Sequence, residues 1–136
     1  MACWLVKSEP DSFAWADQVK NGVEPWTGVR NATARRHLAE MRLGDQALFY
    51  HSNTGRECVG IVEIAREAYP DPSDDTGRWL AVDMRAIRPL PRPVTLATLK
   101  ADPFFADMPL VRLSRLSVSP VAEPYWQRIL ELAGAA

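Results

Sequence analysis

A chain of 136 residues that is 47% hydrophobic and 24% charged has the size and make-up of one globular domain, which excludes disordered, collagen-like and coiled-coil classes. At this length roughly two thirds of the unfolded surface can be buried, so neither disulfides nor a structural metal is needed to hold a core. The 16 Lys plus Arg against 17 Asp plus Glu give a formal net charge of −1, which excludes wholesale attraction to polyanions. A local basic face survives that total, because Arg30, Arg35, Arg36 and Arg42 outnumber Glu40 over residues 26–42.

Residues 3–6 are a short apolar run closed by Lys7-Ser8-Glu9-Pro10, which reads as a strand entering a loop. Asp11 or Ser12 then caps a helix over residues 13–19, stopped by Asn21-Gly22. Residues 23–30 read as a loop that holds Trp26. Asn31 suits the N-cap of a second helix, with Ala34, Leu38 and Met41 at i, i+4 and i+7 and Gly44 marking its end. Residues 45–52 and 58–68 pair as an antiparallel hairpin across the turn Asn53-Thr54-Gly55. An acidic, turn-rich connection follows over residues 70–77. Residues 79–88 then alternate, with Leu80, Val82, Met84 and Ala86 on one face and Asp83 and Arg85 on the other. Pro89, Pro91 and Pro93 enforce an extended crossing to a short helix opened by Thr95 and ending near Lys100, which Asp102-Pro103 breaks. Residues 116–121 form a last strand, and Pro124 opens a closing helix whose Trp126, Ile129, Leu130 and Ala133 make one apolar stripe. The order β-α-α-β-β-β-α-β-α describes a single α+β domain spanning residues 1–136, a small curled sheet or barrel closed by helices.

The opening residues lack a basic-then-apolar leader, and no run approaches 18 apolar residues. Cys3 and Cys58 lie far apart, and neither they nor His37 and His51 have zinc-ligand spacing. The expectation is a cytoplasmic protein with reduced thiols and with no metal, cofactor or membrane partner.

Among five Trp, Trp79 and Trp126 fall on apolar faces and Trp15 on an amphipathic helix, where packing explains them. Trp26, between Pro25 and Thr27-Gly28, has no regular face to bury against: it either stacks on a planar ligand or plugs the end of the core. Proteins read nucleic-acid bases outside the duplex by stacking and by hydrogen bonds to base edges, with Arg or Lys on neighbouring phosphates. Trp26 with Arg30 and Asn31, the run Phe49-Tyr50-His51-Ser52, and Arg112 with Arg115 supply such parts. The same composition suits a small-molecule pocket or an adaptor for a protein partner. An enzyme reading would use His51 with Lys7 or Glu9 as an acid–base pair for hydrolysis of RNA or a nucleotide. A lone His at a strand end is more often structural, and no nucleophile elbow, Walker loop, dinucleotide fingerprint or His-Glu-x-x-His motif occurs.

The motifs Trp4-Leu-Val-Lys7-Ser8-Glu9-Pro10, Trp26-Thr-Gly28-Val29-Arg30-Asn31, Phe49-Tyr50-His51-Ser52, Glu67-Ala-Tyr69-Pro70-Asp71 and Arg115-Leu-Ser117-Val118 together resemble the EVE domain family across nearly the whole chain. The resemblance implies a PUA-like fold, a mixed β-barrel of about five to six strands flanked by helices. EVE domains are similar to the YTH readers of methylated adenine, so the resemblance also implies recognition of a modified base, a modified cytosine or a methylated adenine. It implies that Ser8, Trp26, Gly28, Asn31, Tyr50, His51 and Ser52 line the base pocket, while Lys7, Arg30, Arg112 and Arg115 face phosphates. The expected function is a monomeric, non-enzymatic reader of DNA or RNA whose target base is single-stranded or flipped.

Overall fold

Strand alternation builds a sheet with two covered faces. The computed structural model describes residues 2–135, and its first strand, β1 (Cys3–Ser8), sends Trp4 and Val6 to one core and Leu5 to another. Helix α1 (Trp15–Asn21) follows, then β2 (Val23–Trp26), α2 (Ala32–Glu40), β3 (Gln46–His51), β4 (Glu57–Pro70) and β5 (Leu80–Thr95). Short helix α3 (Leu96–Lys100), a 3-10 turn (Pro103–Phe105) and α4 (Pro109–Arg112) lead to β6 (Val118–Pro120) and the closing helix α5 (Glu123–Ala133).

The six strands lie in the order β2-β5-β4-β3-β1-β6. Every pairing is antiparallel except β1 with β3, where Lys7 lies beside Tyr50 and Ser8 beside His51. Repeated register shifts along β4 and β5 curl the long hairpin, since each bulge adds local twist. The sheet is therefore mixed and barrel-like but not closed. On one face α2 buries Ala34 and Leu38 with Trp4, Trp26, Phe49 and Met84; on the other, α3 and α5 bury Leu99, Trp126 and Ile129 against Leu5, Leu48 and Ile61. No helix among the described residues is long and apolar enough to cross a membrane.

Several elements follow the sequence closely. The Asn31 side chain caps α2 by accepting from the Ala34 N–H at 2.9 Å, and Thr95 caps α3 by accepting from the Thr98 N–H at 3.1 Å. The α5 stripe of Trp126, Ile129, Leu130 and Ala133 is buried. Trp15 packs as expected, with its indole edge-on to Phe49 and so close to Gly60 that a Cβ there would sit 2.5 Å from the ring.

Others differ. Helix α1 starts later than expected: its N-cap is Ala14, whose N–H donates to Asp17 at 2.8 Å, while Asp11 and Ser12 lie in the preceding turn. Helix α2 ends with Met41 as C-cap rather than running towards Gly44, and Asp45 accepts from the Arg42 N–H and from the Trp4 indole, both at 3.0 Å. Residues 23–26 are not a loop but a strand on β5, with Trp26 beside Val82. Pro25 is tolerated because this strand is the sheet edge and its free side needs no donor. The prolines at 89, 91 and 93 likewise sit within β5 instead of ending it. Trp79 is half-buried beside the guanidinium groups of Arg30 and Arg35, at 5.8 and 5.5 Å from its ring.

Candidate functional site

Where the C-terminal end of β1 meets β2 and the loop after it, the sheet leaves a cavity of about 540 Å³. Its apolar wall is Trp26 with Phe13 and Val29; Ser8 lines it too, Lys7, Ser12, Thr27 and Ser117 supply donors, and Glu9 and Glu24 supply carboxylate acceptors. Strand periodicity places Glu24 and Trp26, two residues apart on β2, on the same face. The Trp26 ring is held edge-on by Phe13 at 6.1 Å and Phe49 at 5.7 Å, and the residue is only 8% exposed. It is both part of the core and part of the cavity wall, so the two readings of this residue are joined rather than opposed.

The rim is built on one buried carboxylate. Asp71, whose side chain is fully buried, accepts through Oδ2 from the Gly28 N–H and from Arg30 Nη1, each at 2.9 Å. Through Oδ1 it accepts from the Ser73 N–H and hydroxyl, each at 2.7 Å. Burial alone would raise its pKa, but the donors on Ser73, Gly28 and Arg30 outweigh it and hold the carboxyl well below the usual range. Gly28 takes φ +82°, a left-handed value that suits glycine. Asp71 thus pins a left-handed turn and a guanidinium at the cavity mouth. The acidic character of residues 70–77 is partly neutralised there, and Arg30 is committed to Asp71, the Val29 carbonyl and Ser73.

Of the residues expected at the site, Lys7, Ser8, Trp26, Gly28 and Arg30 meet in this cavity. Ser8 Oγ donates to the Phe13 carbonyl at 2.5 Å, and Lys7 Nζ donates to the Ser114 carbonyl at 2.9 Å. Tyr50 and Ser52 do not join them. They line a second recess, which also reaches Lys7, because Phe49 and Tyr50 are successive residues of β3 and point to opposite faces. Burial, with Cys58 adding to it, pushes the Tyr50 hydroxyl up to about 12.

Asn31 spends its side-chain oxygen on α2 and lines a separate groove with Thr33 and Arg115. Arg112 is exposed at the end of α4 and lines neither the cavity nor the recess. His51 accepts from the Trp15 N–H through Nε2 at 3.0 Å and stacks edge-on to Phe49, outside the cavity lining. Burial lowers its pKa, against a smaller opposing effect of Glu57. Lys7 and Glu9 therefore share the cavity while His51 does not, and the acid–base pair of His51 with Lys7 or Glu9 is not assembled there.

Ser12, Phe13 and Glu24 line the cavity without a site role in the sequence, and Asp71 stood there only as the end of one motif. Glu24 lay in a stretch read as loop, and Asp71 reaches Gly28 from 43 residues away, a pairing with no local signal.

The EVE domain family model matches residues 2–132. Thymocyte nuclear protein 1 of Homo sapiens is 34% identical over 164 residues, covering 95% of this chain and 72% of that protein. The NMR structure of Rpa0253 from Rhodopseudomonas palustris has a TM-score of 0.93 at 53% identity, covering 98% of this chain and 94% of its own. The crystal structure of human THYN1 protein in complex with 5-methylcytosine containing DNA has a TM-score of 0.90 at 32% identity over 98% of each chain. The YTH domain of Zygosaccharomyces rouxii MRB1 protein, at a TM-score of 0.63 and 21% identity over 97% of this chain and 86% of its own, shares the fold.

Proposed function

The chain belongs to the EVE domain family, and from that premise we propose that it is a nucleic-acid reader that takes a modified base, 5-methylcytosine in DNA foremost, into the cavity at Trp26. The observation that carries this reading is the cavity itself. At about 540 Å³ it falls within the roughly 300–1,000 Å³ of small-ligand sites, and it pairs an aromatic wall with a few convergent polar groups. Its human relative was crystallised with DNA that contains 5-methylcytosine.

The chemistry of a cytosine fits the lining. Trp26 and Phe13 offer ring edges and faces for the flat base and its methyl group. Ser12, Thr27 and Ser117 offer hydroxyls to O2 and N3. Glu9 and Glu24 offer oxygens to the exocyclic amine, the pairing by which carboxylates recognise cytosine elsewhere. A base can enter such a cavity only when it is outside the stack, so the substrate is a single strand or a flipped nucleotide. The site binds without turnover in this reading, His51 being engaged with the Trp15 backbone.

The test is fluorescence polarisation with short labelled oligonucleotides that differ only in one cytosine or 5-methylcytosine. The wild type is expected to hold the methylated oligonucleotide more tightly. Trp26→Phe, which keeps an aromatic in the core, is expected to lose much of that preference. Equal affinity for both oligonucleotides in the wild type would overturn the reading.

A further inference from the structure

Lys7 stands between the Trp26 cavity and the second recess, which has a volume of about 280 Å³ and lies on the Tyr50 side of the sheet. This recess is rich in donors. Lys7, Arg56 and Lys100 contribute three cations, and Ser52, Asn53 and Ser114 contribute hydroxyls and an amide; no carboxylate lines it among the described residues. In a chain of net charge −1, three cations around one small recess are a marked local concentration. None of the three forms an ion pair among the described residues.

The turn that carries Arg56 is unusual in its backbone. Asn53 at φ 64° and Arg56 at φ 50° are the non-glycine residues in the left-handed region among the described residues, a conformation that an arginine adopts only against a steric penalty. Arg56 Nε donates to the Asn53 carbonyl at 3.2 Å, which fixes the plane of the guanidinium and leaves its terminal nitrogens to other partners. The Asn53 amide donates to Glu9, a residue of the Trp26 cavity, at 3.0 Å. One hydrogen bond thus ties the turn of the recess to the lining of the cavity.

We propose that this recess is a phosphate site that holds a backbone phosphodiester of the same strand whose base occupies the Trp26 cavity, with Arg56 and Lys100 as its outer cations and Lys7 shared between the two. This assignment rests on the base-reading proposed above and adds to it the course of the strand, from the end of β1 across the turn at residues 52–56 towards α3. Burial lowers the pKa of Lys7; an anion in the recess acts in the opposite direction and keeps its ammonium charged. A guanidinium and two ammonium groups are the donor set that phosphate recognition uses.

The experiment compares the wild type with the double variant Arg56→Gln/Lys100→Gln, whose exposed side chains leave the core untouched, folding being checked by circular dichroism. Affinity for the 5-methylcytosine and cytosine oligonucleotides is measured across a salt series. The expected result is a loss of about tenfold or more in both affinities at low salt, with their ratio unchanged. The slope of log affinity on log salt should become shallower by about 0.7, one single-stranded phosphate's worth. Unchanged affinity and slope would overturn the proposal.

If the wild type binds both oligonucleotides equally, the base-reading fails, and the same variant and slope still decide the phosphate site. If the wild type binds no oligonucleotide, pyrophosphate titration followed by NMR decides. Amide shifts at Ser52, Asn53 and Arg56 that vanish in the double variant would support the phosphate site, and their absence would overturn it. Pyrophosphate binding together with oligonucleotide affinity that ignores the double variant would assign the recess to a free phosphate and overturn the strand path.

Discussion

Asp71→Asn isolates the group on which the cavity rim depends. The substitution keeps the volume and removes the charge. In the wild type the two carboxylate oxygens accept from the Gly28 N–H, Arg30 Nη1, the Ser73 N–H and the Ser73 hydroxyl. An amide can orient its oxygen towards Gly28 and Arg30, but its NH2 then faces the Ser73 N–H and leaves that donor without a partner. The opposite flip strands Gly28 and Arg30. One partly buried unsatisfied donor costs about 1–3 kcal/mol. The Arg30 ion pair adds at most about 1 kcal/mol, because that guanidinium is 40% exposed and screened. The expected destabilisation is therefore about 1–4 kcal/mol near pH 7, read as a fall in the urea midpoint at unchanged m-value.

The pH dependence provides a second, independent readout. The folded pKa of Asp71 is depressed below that of an unfolded Asp, so its stabilisation is full above the unfolded value of about 3.9. It is lost as pH falls through the interval between that value and the folded one. Below about 3.9 the gap between wild type and variant should shrink by up to about 1.4 kcal/mol per pH unit. Identical urea midpoints at pH 7, or a gap that does not change with acid, would refute the assignment of Asp71 as the ionised anchor of residues 28–30.

Further predictions concern the groups around it. Trp26→Ala should cost about 3–5 kcal/mol in denaturant unfolding, as a buried Trp truncation does, whereas Trp26→Phe should stay folded and show its effect in binding. Asn31→Ala should destabilise by about 1 kcal/mol through the lost cap on α2, with Asn31→Asp restoring it and oligonucleotide affinity following stability rather than base identity. Gly60→Ala forces a Cβ to within 2.5 Å of the Trp15 ring and should lower thermal stability by about 1–3 kcal/mol. The folded pKa of His51 lies below its usual value of 6.5, so its contribution is complete above about 6.5 and declines as pH falls below it. His51→Gln should flatten the stability profile over that interval, as measured by chemical denaturation between pH 5 and 7.

What the sequence made legible was local. The caps at Asn31 and Thr95 and the stripe on α5 involve residues within one or two helical turns, and they stand in the structure. The strand at Val23–Trp26 was masked because four residues with a central Pro and a following Gly carry the signature of a turn; pairing with β5, nearly 60 residues away, overrides it. The prolines of β5 misled for the same reason, since edge and bulge positions remove the need for their missing N–H groups.

At the site, Lys7-Ser8 and Trp26-Thr-Gly28 were legible as contiguous motifs that converge on one cavity. The run Phe49-Tyr50-His51-Ser52 was legible only as a group, and the two-residue period of a strand divides it. Phe49 backs Trp26, Tyr50 and Ser52 serve the other recess, and His51 holds α1. Asp71 was legible only as the end of a family motif, without a role, because that role exists only once the chain has brought it back to Gly28.

The central claim is that a methylated cytosine enters the cavity beside Trp26 and Phe13, and a carbon-13 label on the 5-methyl group of a single cytosine in a short oligonucleotide tests it most directly. On saturation with the protein, the methyl resonance should move upfield through aromatic ring currents and show NOEs to Trp26 and Phe13. A methyl signal that keeps its free chemical shift at saturation, with no NOE to either ring, would contradict the account.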